Sequence, residues 1–433
     1  MPLRFSSPMK SAVFLCCAFF PLALAAEQVG PWNLDALKSQ VPRMKWLRQD
    51  QPVQSLTYEG EEYQGQATEV FAFYASPRTL GVAREGETFP AVVCIHGGGG
   101  TAFAEWVHLW AKRGYAAIAM DLNGSRPPDP VVDERGMIRS NAHGDATRTR
   151  LPHGGPPHGH MEKFSSIGGD VSDDWPFHAA ASVIRAHTLL RSFSEVQADR
   201  TAVTGISWGG YTTCLVASLD DRFKAAVPVY GCGFLHEGES VQKRSIDLLG
   251  ERRMEWVRAY DPGSLLPRCR VPLLWVNGTN DIHYPLDSYM KSYAVVPGEK
   301  QLRIEVKMAH GHQPGWKPEE IGLFIDSKCR EGRPLPKLGK PQVQNREVRV
   351  ECELPPGVSL KEVTLHFTVD QGPRSARKWS SSPTKLGKQE PHAAGTRLEI
   401  LAEEPPAEAN TWFINVTDNR GAMISSEVQI TRE

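Results

Sequence analysis

The sequence lacks an apolar run long enough to cross a membrane, and it lacks an excess of charge of either sign. No stretch of 18 or more consecutive apolar residues occurs in the 433 residues, so stable membrane insertion is not expected. Lys and Arg number 49 against 50 Asp and Glu, a formal net charge of −1. This balance argues against a nucleic-acid partner, because clustered positive charge binds the phosphate backbone.

The sequence also lacks a Cys-x-x-Cys pair, an internal repeat and a low-complexity tract. The first absence argues against a zinc ribbon or a thioredoxin-type motif. Six cysteines follow the N-terminal segment, and they allow 15 complete disulfide pairings, among which the sequence does not choose. Cys94 and Cys214 lie in apolar segments, where buried thiols are an alternative to disulfides.

The N-terminal segment has the three parts of a secretory signal peptide. Arg4 and Lys10 supply positive charge, residues 11–22 form a short apolar stretch, and Ala23-Leu24-Ala25 matches an Ala-x-Ala cleavage site. We therefore expect a signal peptide over 1–25 and a secreted or periplasmic protein.

Two hydrophobic patterns divide the rest of the chain. Between about 70 and 329, apolar runs at 91–95, 116–120, 201–204, 225–229, 273–276 and 302–306 predict buried strands, separated by predicted helices at 102–113, 176–192 and 208–218. Strands that alternate with helices indicate a parallel sheet with right-handed crossovers. After about residue 334, apolar and polar residues alternate, which predicts half-buried antiparallel strands in a small β-sandwich.

A long segment, 123–170, shows no sustained periodicity and is rich in Pro, Gly and His. It follows a predicted strand, so we expect a functional loop at the carboxyl edge of the sheet, where ligands bind in such folds. Its histidines, His143, His153, His158 and His160, lack the spacing of a tight ligand set, so solvated or substrate-contacting histidines are favoured over a metal site.

The hexapeptide from Gly205 to Gly210 carries the most specific chemical signal. It contains Gly-x-Ser-x-Gly around Ser207, with a predicted strand before it and a predicted helix after it. Such a strand–turn–helix exposes a serine hydroxyl in a strained turn, the nucleophile elbow. Ser207 is therefore the candidate nucleophile.

A serine nucleophile needs a base and an acid that orients the base, and these should follow in the order serine, acid, histidine. Asp281 comes after the strand at 273–276, and His310 comes after the strand at 302–306. Asp287 is a weaker acid candidate because it lies farther from its strand. His312 stays open as an alternative base, with His310 favoured.

The loop His96-Gly97-Gly98-Gly99-Gly100 follows another buried strand. Glycines let the backbone approach a substrate closely, and acyl transfer needs N–H donors for the developing oxyanion. We predict that the backbone N–H groups of Gly98 and Trp208 form this oxyanion hole, with Gly97 as the next candidate for the first donor. A phosphate-binding loop is disfavoured because the Gly-Lys-Ser/Thr ending is absent.

Two further features carry weaker signals. Trp175, Trp208 and Trp316 flank the candidate site in sequence and either stack on a flat ligand or pack in the core. Asp173 and Asp174 are expected to cap the following helix.

Together, the Gly-Ile-Ser-Trp-Gly-Gly elbow, the His-Gly-Gly-Gly loop, Asp281 and His310 resemble the α/β-hydrolase superfamily. The segments at 205–211, 220–223 and 227–230 are similar to its secreted bacterial branch related to prolyl oligopeptidases, dienelactone hydrolases and acetylxylan esterases, and the resemblance covers roughly residues 65–330. It implies an α/β-hydrolase fold for that part of the chain. Together with the sequence patterns above, this predicts a signal peptide at 1–25, an α/β-hydrolase catalytic domain with an N-terminal extension at 26–333, and a β-sandwich domain at 334–433. The resemblance implies no metal and no organic cofactor.

The resemblance leaves three functions open. The favoured one is a serine carboxylic-ester hydrolase that deacetylates a carbohydrate ester such as acetylated xylan, or another small ester. A serine peptidase of the prolyl-oligopeptidase type is disfavoured, because those enzymes carry a β-propeller before the hydrolase domain. Only about forty residues lie here between the signal peptide and the first predicted hydrolase strand, too few for a propeller. A non-catalytic glycan-binding protein is disfavoured by the intact serine, acid and histidine. The oligomeric state is not predicted.

Overall fold

The computed structural model describes Met1 and residues 29–134, 137–139, 148–157, 159–393 and 395–431. Most of the predicted signal peptide, His143 and His158 therefore lie outside the described residues. Within the described chain, no helix is long and apolar enough to span a lipid bilayer.

The strands in chain order are β1 (Met44–Arg48), β2 (Gln54–Glu59), β3 (Glu69–Ala75), β4 (Phe89–Ile95), β5 (Ala116–Met120), β6 (Ser125–Arg126), β7 (Val131–Val132), β8 (Ile138–Arg139), β9 (Thr149–Arg150), β10 (Val196–Ile206), β11 (Ala225–Val229), β12 (Leu273–Gly278), β13 (Lys300–Glu305), β14 (Lys337–Leu338), β15 (Gln342–Gln344), β16 (Glu347–Leu354), β17 (Leu360–Thr368), β18 (Ser380–Pro383), β19 (Lys385–His392), β20 (Gly395–Glu403), β21 (Thr411–Asp418), β22 (Met423–Ser425) and β23 (Gln429–Ile430). The helices are α1 (Leu34–Ser39), α2 (Ala104–Lys112), α3 (Trp175–Ser192), α4 (Trp208–Leu219), α5 (Lys243–Asp247), α6 (Arg253–Tyr260), α7 (Pro262–Leu265), α8 (Leu286–Val295), α9 (His312–Trp316) and α10 (Glu319–Cys329).

The central sheet has the order β1-β2-β3-β5-β4-β10-β11-β12-β13-β22-β21-β17-β18, with β23 beside β21, which gives fourteen strands in the described chain. Pairing is parallel from β5 through β13 and antiparallel on both flanks. The α/β fold class predicted from the alternating pattern is confirmed. The sheet begins at Met44, earlier than the expected start near residue 70, because β1, β2 and β3 form an antiparallel edge.

The parallel strands are buried on both faces. Val92, Val93, Ala202 and Val203 are fully buried, and α3 and α4 pack against β10. The carboxyl ends of parallel strands meet at one edge of a sheet. The segments that follow β10, β12 and β13 therefore start close together, and they carry Ser207, Asp281 and His310.

The C-terminal residues form two groups of strands. Strands β14, β15, β16, β20 and β19 make a separate antiparallel sheet, whereas β17, β18, β21, β22 and β23 extend the central sheet. The alternation predicted in β16 is present, with Val348, Val350, Cys352 and Leu354 buried. The prediction of a β-rich C-terminal region is therefore correct, although the group β17, β18, β21, β22 and β23 continues the central sheet. The boundary at 333/334 stays a prediction.

All six cysteines from Cys94 to Cys352 are buried and free. Burial raises the pKa of each thiol above its ordinary value. Buried protonated thiols react slowly with oxidants, so the disulfides that an oxidising compartment would allow are absent from this set.

A buried polar cluster fastens α3 to the strand edge. Nδ1 of His187 lies 2.8 Å from Asp220 Oδ2, and its Nε2 lies 2.8 Å from Thr201 Oγ1. The imidazole stacks on Phe223 at 3.7 Å between ring centroids. Arg222 also holds Asp220, at 2.7 and 2.8 Å. Burial lowers the pKa of His187 to about 4, so its ring is neutral and Nδ1–H donates to the carboxylate.

This neutral histidine predicts a defined loss of stability in acid. Between about pH 6.5 and 4 the unfolded chain binds a proton at His187 that the folded chain does not, so the free energy of unfolding falls as the pH falls through this window. The loss attributable to His187 is of the order of 3 kcal/mol. Urea unfolding of wild type and His187→Gln at pH 7 and pH 4 measures this loss. Because Gln does not titrate, the difference in the free energy of unfolding between the two proteins should be smaller at pH 4 than at pH 7. A gap independent of pH would contradict a neutral His187.

Candidate active site

Ser207 occupies the sharp turn between β10 and α4. Its backbone has φ 60° and ψ −118°, a left-handed conformation that is rare for a residue with a side chain. Its N–H donates to the Val229 carbonyl at 2.8 Å. At Gly209, a Cβ would collide with the carbonyl of Ile95, so glycine is required for α4 to pack this closely on β4. The turn leaves the Ser207 side chain partly exposed at the carboxyl edge of the sheet.

His310 links Ser207 to Asp281. Its Nε2 lies 3.0 Å from Ser207 Oγ, and its Nδ1 lies 2.6 Å from Asp281 Oδ2. The other carboxylate oxygen of Asp281 accepts the N–H groups of His283 at 2.8 Å and Tyr284 at 2.9 Å. A carboxylate held in this way accepts the Nδ1–H of His310, which leaves Nε2 as an acceptor for the serine hydroxyl. The structure thus brings together the three residues expected from the sequence.

The alternative acid and the alternative base lie elsewhere. Asp287 lies in the first turn of α8, where its carboxylate is 3.8 Å from Arg374. His312 Nε2 accepts the N–H of Gly97 at 2.9 Å, and the ring packs against Phe103 at 4.7 Å between centroids. Burial lowers the pKa of His312 to about 3, so the ring is a neutral acceptor. His312 therefore supports the glycine loop, while His310 faces Ser207.

The glycine loop runs beside the start of α4. A Cβ on Gly98 would lie 2.7 Å from Cδ1 of Trp208, so only glycine fits against the indole. The Gly97 N–H is already bonded to His312, which removes it as an oxyanion donor. In the described chain, neither the Gly98 nor the Trp208 N–H donates a hydrogen bond. Gly98 and Trp208 thus remain the predicted oxyanion donors.

Two tyrosines and a histidine around His310 were missed by the sequence analysis. The Tyr230 ring lies 4.5 Å from that of His310, and its hydroxyl donates to the Ala309 carbonyl at 2.7 Å. The His283 ring lies 4.7 Å away, and the Tyr284 ring is parallel at 6.4 Å. Their position in the sequence could have indicated them, since Tyr230 directly follows β11 and the other two lie two and three residues after Asp281.

The end of the long segment, residues 159–170, packs beside this site. Phe164 packs edge-on against Trp208 at 5.9 Å, and Trp175 packs against the same indole at 5.6 Å. His160 Nε2 lies 2.7 Å from Ser245 Oγ, whereas His153 is exposed. Trp208 and Trp175 therefore serve in the aromatic packing behind the elbow.

Trp316 packs on Phe103 and Trp106, so of its two alternatives the structure shows core packing. The expected capping by Asp174 needs correction. Asp174 holds the N-cap position of α3 but makes no side-chain capping bond. Its carboxylate instead accepts the hydroxyls of Tyr260 at 2.7 Å and Ser166 at 2.6 Å, because tertiary partners outcompete the local N–H groups.

The chain is similar to known esterases in sequence and in structure. A family model described as acetyl xylan esterase (AXE1) matches residues 38–242, a range that includes the elbow and ends before Asp281. The acetyl xylan esterase from Paenibacillus sp. R4 is 23% identical, with a TM-score of 0.51 over 68% of this chain and 92% of that one. Acetyl Xylan Esterase 1 from Thermoanaerobacterium sp. JW/SL YS485 is 16% identical, with a TM-score of 0.51 over 68% and 90%.

The chain has the α/β-hydrolase fold. The family match, taken with this fold, makes the protein a serine hydrolase of the esterase type. An acylaminoacyl peptidase from Pyrococcus horikoshii is also similar, at 20% identity and a TM-score of 0.45 over 69% of this chain and 43% of that one.

The two histidines can be separated by substitution. We expect His310→Ala to lower kcat on p-nitrophenyl acetate by about 10³-fold or more, because the serine loses its base. His312→Ala should cost roughly 10- to 100-fold, because it only releases the Gly97 N–H and loosens the glycine loop. Steady-state kinetics at pH 8 measure both, with circular dichroism as a folding control. The reverse ranking would make His312 the base.

Proposed function

We propose that the protein is an exported carboxylic-ester hydrolase that removes acetyl groups from a polysaccharide such as acetylated xylan. The observation that carries the proposal is the hydrogen-bonded chain Ser207–His310–Asp281 at the carboxyl edge of the sheet. The acetyl xylan esterase family match and the names of the two esterase structures support the choice of substrate. The N-terminal segment that resembles a signal peptide supports export.

In this proposal Ser207 Oγ attacks the acetyl carbonyl while His310 Nε2 takes its proton. Asp281 holds the imidazole by Nδ1 and stabilises the imidazolium that forms. The N–H groups of Gly98 and Trp208 receive the oxyanion of the tetrahedral intermediate. His310 then donates this proton to the sugar oxygen as the C–O bond of the intermediate breaks, which releases the sugar hydroxyl and leaves an acetyl-serine. Water, deprotonated by His310, attacks the acetyl-serine and releases acetate and Ser207.

The hydrogen bonds around the triad favour this chemistry. Oδ1 of Asp281 is occupied by two backbone N–H groups, so only Oδ2 faces His310. This fixes the tautomer that leaves Nε2 free to accept a proton. The left-handed backbone of Ser207 keeps Oγ at 3.0 Å from that nitrogen before any substrate binds, which lowers the entropic part of the barrier.

The first test is acetate release from acetylated xylan and from p-nitrophenyl acetate by wild type and Ser207→Ala. We expect both rates to fall by about 10⁴-fold or more in the variant, because nothing replaces the nucleophile. Ser218→Ala is the matched control, since Ser218 lies on the same helix, its hydroxyl donates to the Cys214 carbonyl, and it makes no contact with Ser207, His310 or Asp281 among the described residues. It should retain the wild-type rates.

The two substrates separate the parts of the proposal. Serine-dependent release from both supports the mechanism and the polysaccharide. Release from the small ester alone keeps the mechanism and contradicts xylan as the substrate. Cleavage of an N-acylated peptide in preference to either ester would show a peptidase, and the absence of any Ser207-dependent turnover would contradict the esterase mechanism.

A further inference from the structure

Asn280 joins the loop that carries Asp281 to a turn of the C-terminal region. Its Nδ2 donates to the Ser375 carbonyl at 2.8 Å, and the carbonyls of Arg374 and Arg377 lie at 3.3 and 3.4 Å. These carbonyls belong to the 3₁₀ turn Arg374–Ala376 and the residue after it. One amide group thus faces three converging acceptors, although it lies about 95 residues away in sequence from the residues that supply them.

Thr279 extends this contact to the loop that carries His310. Its hydroxyl donates to Asn280 Oδ1 at 2.5 Å and accepts the N–H of Lys307 at 3.0 Å. Lys307 has a φ of 60°, so its strained backbone depends on that partner. Because Lys307 lies three residues before His310, Thr279 and Asn280 connect the acid loop, the histidine loop and the C-terminal turn.

The turn is itself fastened to the hydrolase part of the chain. Arg374 Nε donates to Glu239 at 2.9 Å, and its guanidinium lies 3.8 Å from Asp287. Behind the turn, the buried Arg377 donates to the Gly372 carbonyl at 3.0 Å. A cleft of about 430 Å³ lies between this turn and Asp281. Asn280 and Arg374 both join the turn to the hydrolase part of the chain, and Asn280 is the one next to Asp281 in sequence.

We propose that Asn280 is a positioning residue through which the C-terminal turn Arg374–Ala376 holds Asp281 and His310 in register. The proposal rests on the proposed function, because it assigns a role through the same acid and histidine. A loop that follows a strand end is mobile unless it is tied down, and a misplacement of about 1 Å in a catalytic group costs on the order of 100-fold in rate. The C-terminal region is then part of the catalytic apparatus.

The test uses the full chain and two substitution pairs. Asn280→Asp keeps the acceptor for Thr279 but presents a carboxylate to three carbonyls, and Asn280→Ala removes both functions. Thr279→Val removes the bridging hydroxyl, and Thr279→Ser restores it. On p-nitrophenyl acetate we expect the first three variants to lower kcat by about 10- to 100-fold with KM changed by less than about twofold. Thr279→Ser should recover most of the wild-type kcat.

A matched control and a second readout keep the outcomes distinct. Arg397→Ala breaks a 2.8 Å ion pair with Glu353 in the separate C-terminal sheet and should leave kcat unchanged. The proton on His310 Nδ1, in its short hydrogen bond to Asp281, gives a downfield proton resonance that His310→Gln identifies. This signal should weaken in Asn280→Ala and Thr279→Val but persist in Thr279→Ser and Arg397→Ala.

Unchanged kcat in Asn280→Ala, or equal losses in Thr279→Val and Thr279→Ser, would overturn the positioning role. If the wild type shows no Ser207-dependent turnover, the proposed function fails, and the resonance alone decides. Its selective loss in Asn280→Ala and Thr279→Val then supports positioning, and its persistence in all variants overturns it.

Discussion

The left-handed backbone of Ser207 is the constraint on which the site depends. At the same carboxyl edge of the sheet, two other non-glycine residues also have a positive φ: Tyr230 after β11 with φ 57°, and Lys307 after β13 with φ 60°. Each conformation costs on the order of 1–3 kcal/mol and persists only where surrounding contacts impose it. Here each N–H is bonded to a neighbouring segment: Ser207 to Val229 at 2.8 Å, Tyr230 to Val276 at 2.9 Å, and Lys307 to Thr279 at 3.0 Å. The register of the parallel strands thus maintains the strain, and the strain directs the side chains to one point.

Two neutral imidazoles, those of His96 and His312, hold the glycine loop at residues 96–100 in place. His96 Nε2 accepts the Leu122 N–H at 2.9 Å, and its Nδ1 lies 2.7 Å from the Gly97 carbonyl. His312 accepts the Gly97 N–H and, through burial, has a pKa near 3. A glycine loop has high conformational entropy in the unfolded state, so these contacts are needed to fix it. His310 differs from both because its partner is a carboxylate.

The sequence was informative wherever local pattern and chain order determine structure. The strands β5 and β11 match their predicted bounds, and the elbow, Asp281 and His310 lie where the strand ends put them. The start of β10 was missed because 196–200 is a largely polar stretch that becomes a strand only by pairing with β4. The capping by Asp174 was wrong because Tyr260 and Ser166, distant in sequence, supply better partners. Contacts such as Asn280 with Ser375 leave no periodic trace in a single sequence.

The C-terminal region, expected as a small β-sandwich, places five of its strands in the central sheet. Strand β13 would otherwise be an open edge, with unpaired N–H and C=O groups next to a buried core. Ser425 Oγ accepts the Ile304 N–H at 2.7 Å, and Asn415 Nδ2 donates to the Ile304 carbonyl at 3.1 Å, so side chains of β22 and β21 complete the edge.

The segment that leads from α10 into the C-terminal strands is fixed as well. Gln301 donates to the Pro336 carbonyl at 2.7 Å, and Leu335 is buried. A tethered binding module needs freedom to reach its ligand, and its removal should leave the enzyme core intact. Here removal would expose the edge of the strand that leads to His310 and would release the turn that contacts Asn280. Strand β13 thus pairs with the C-terminal strands at Ile304 and, a few residues later, leads into the loop that carries His310. The physical requirement to cover a sheet edge therefore accounts for why the C-terminal strands lie against the acid–histidine half of the site.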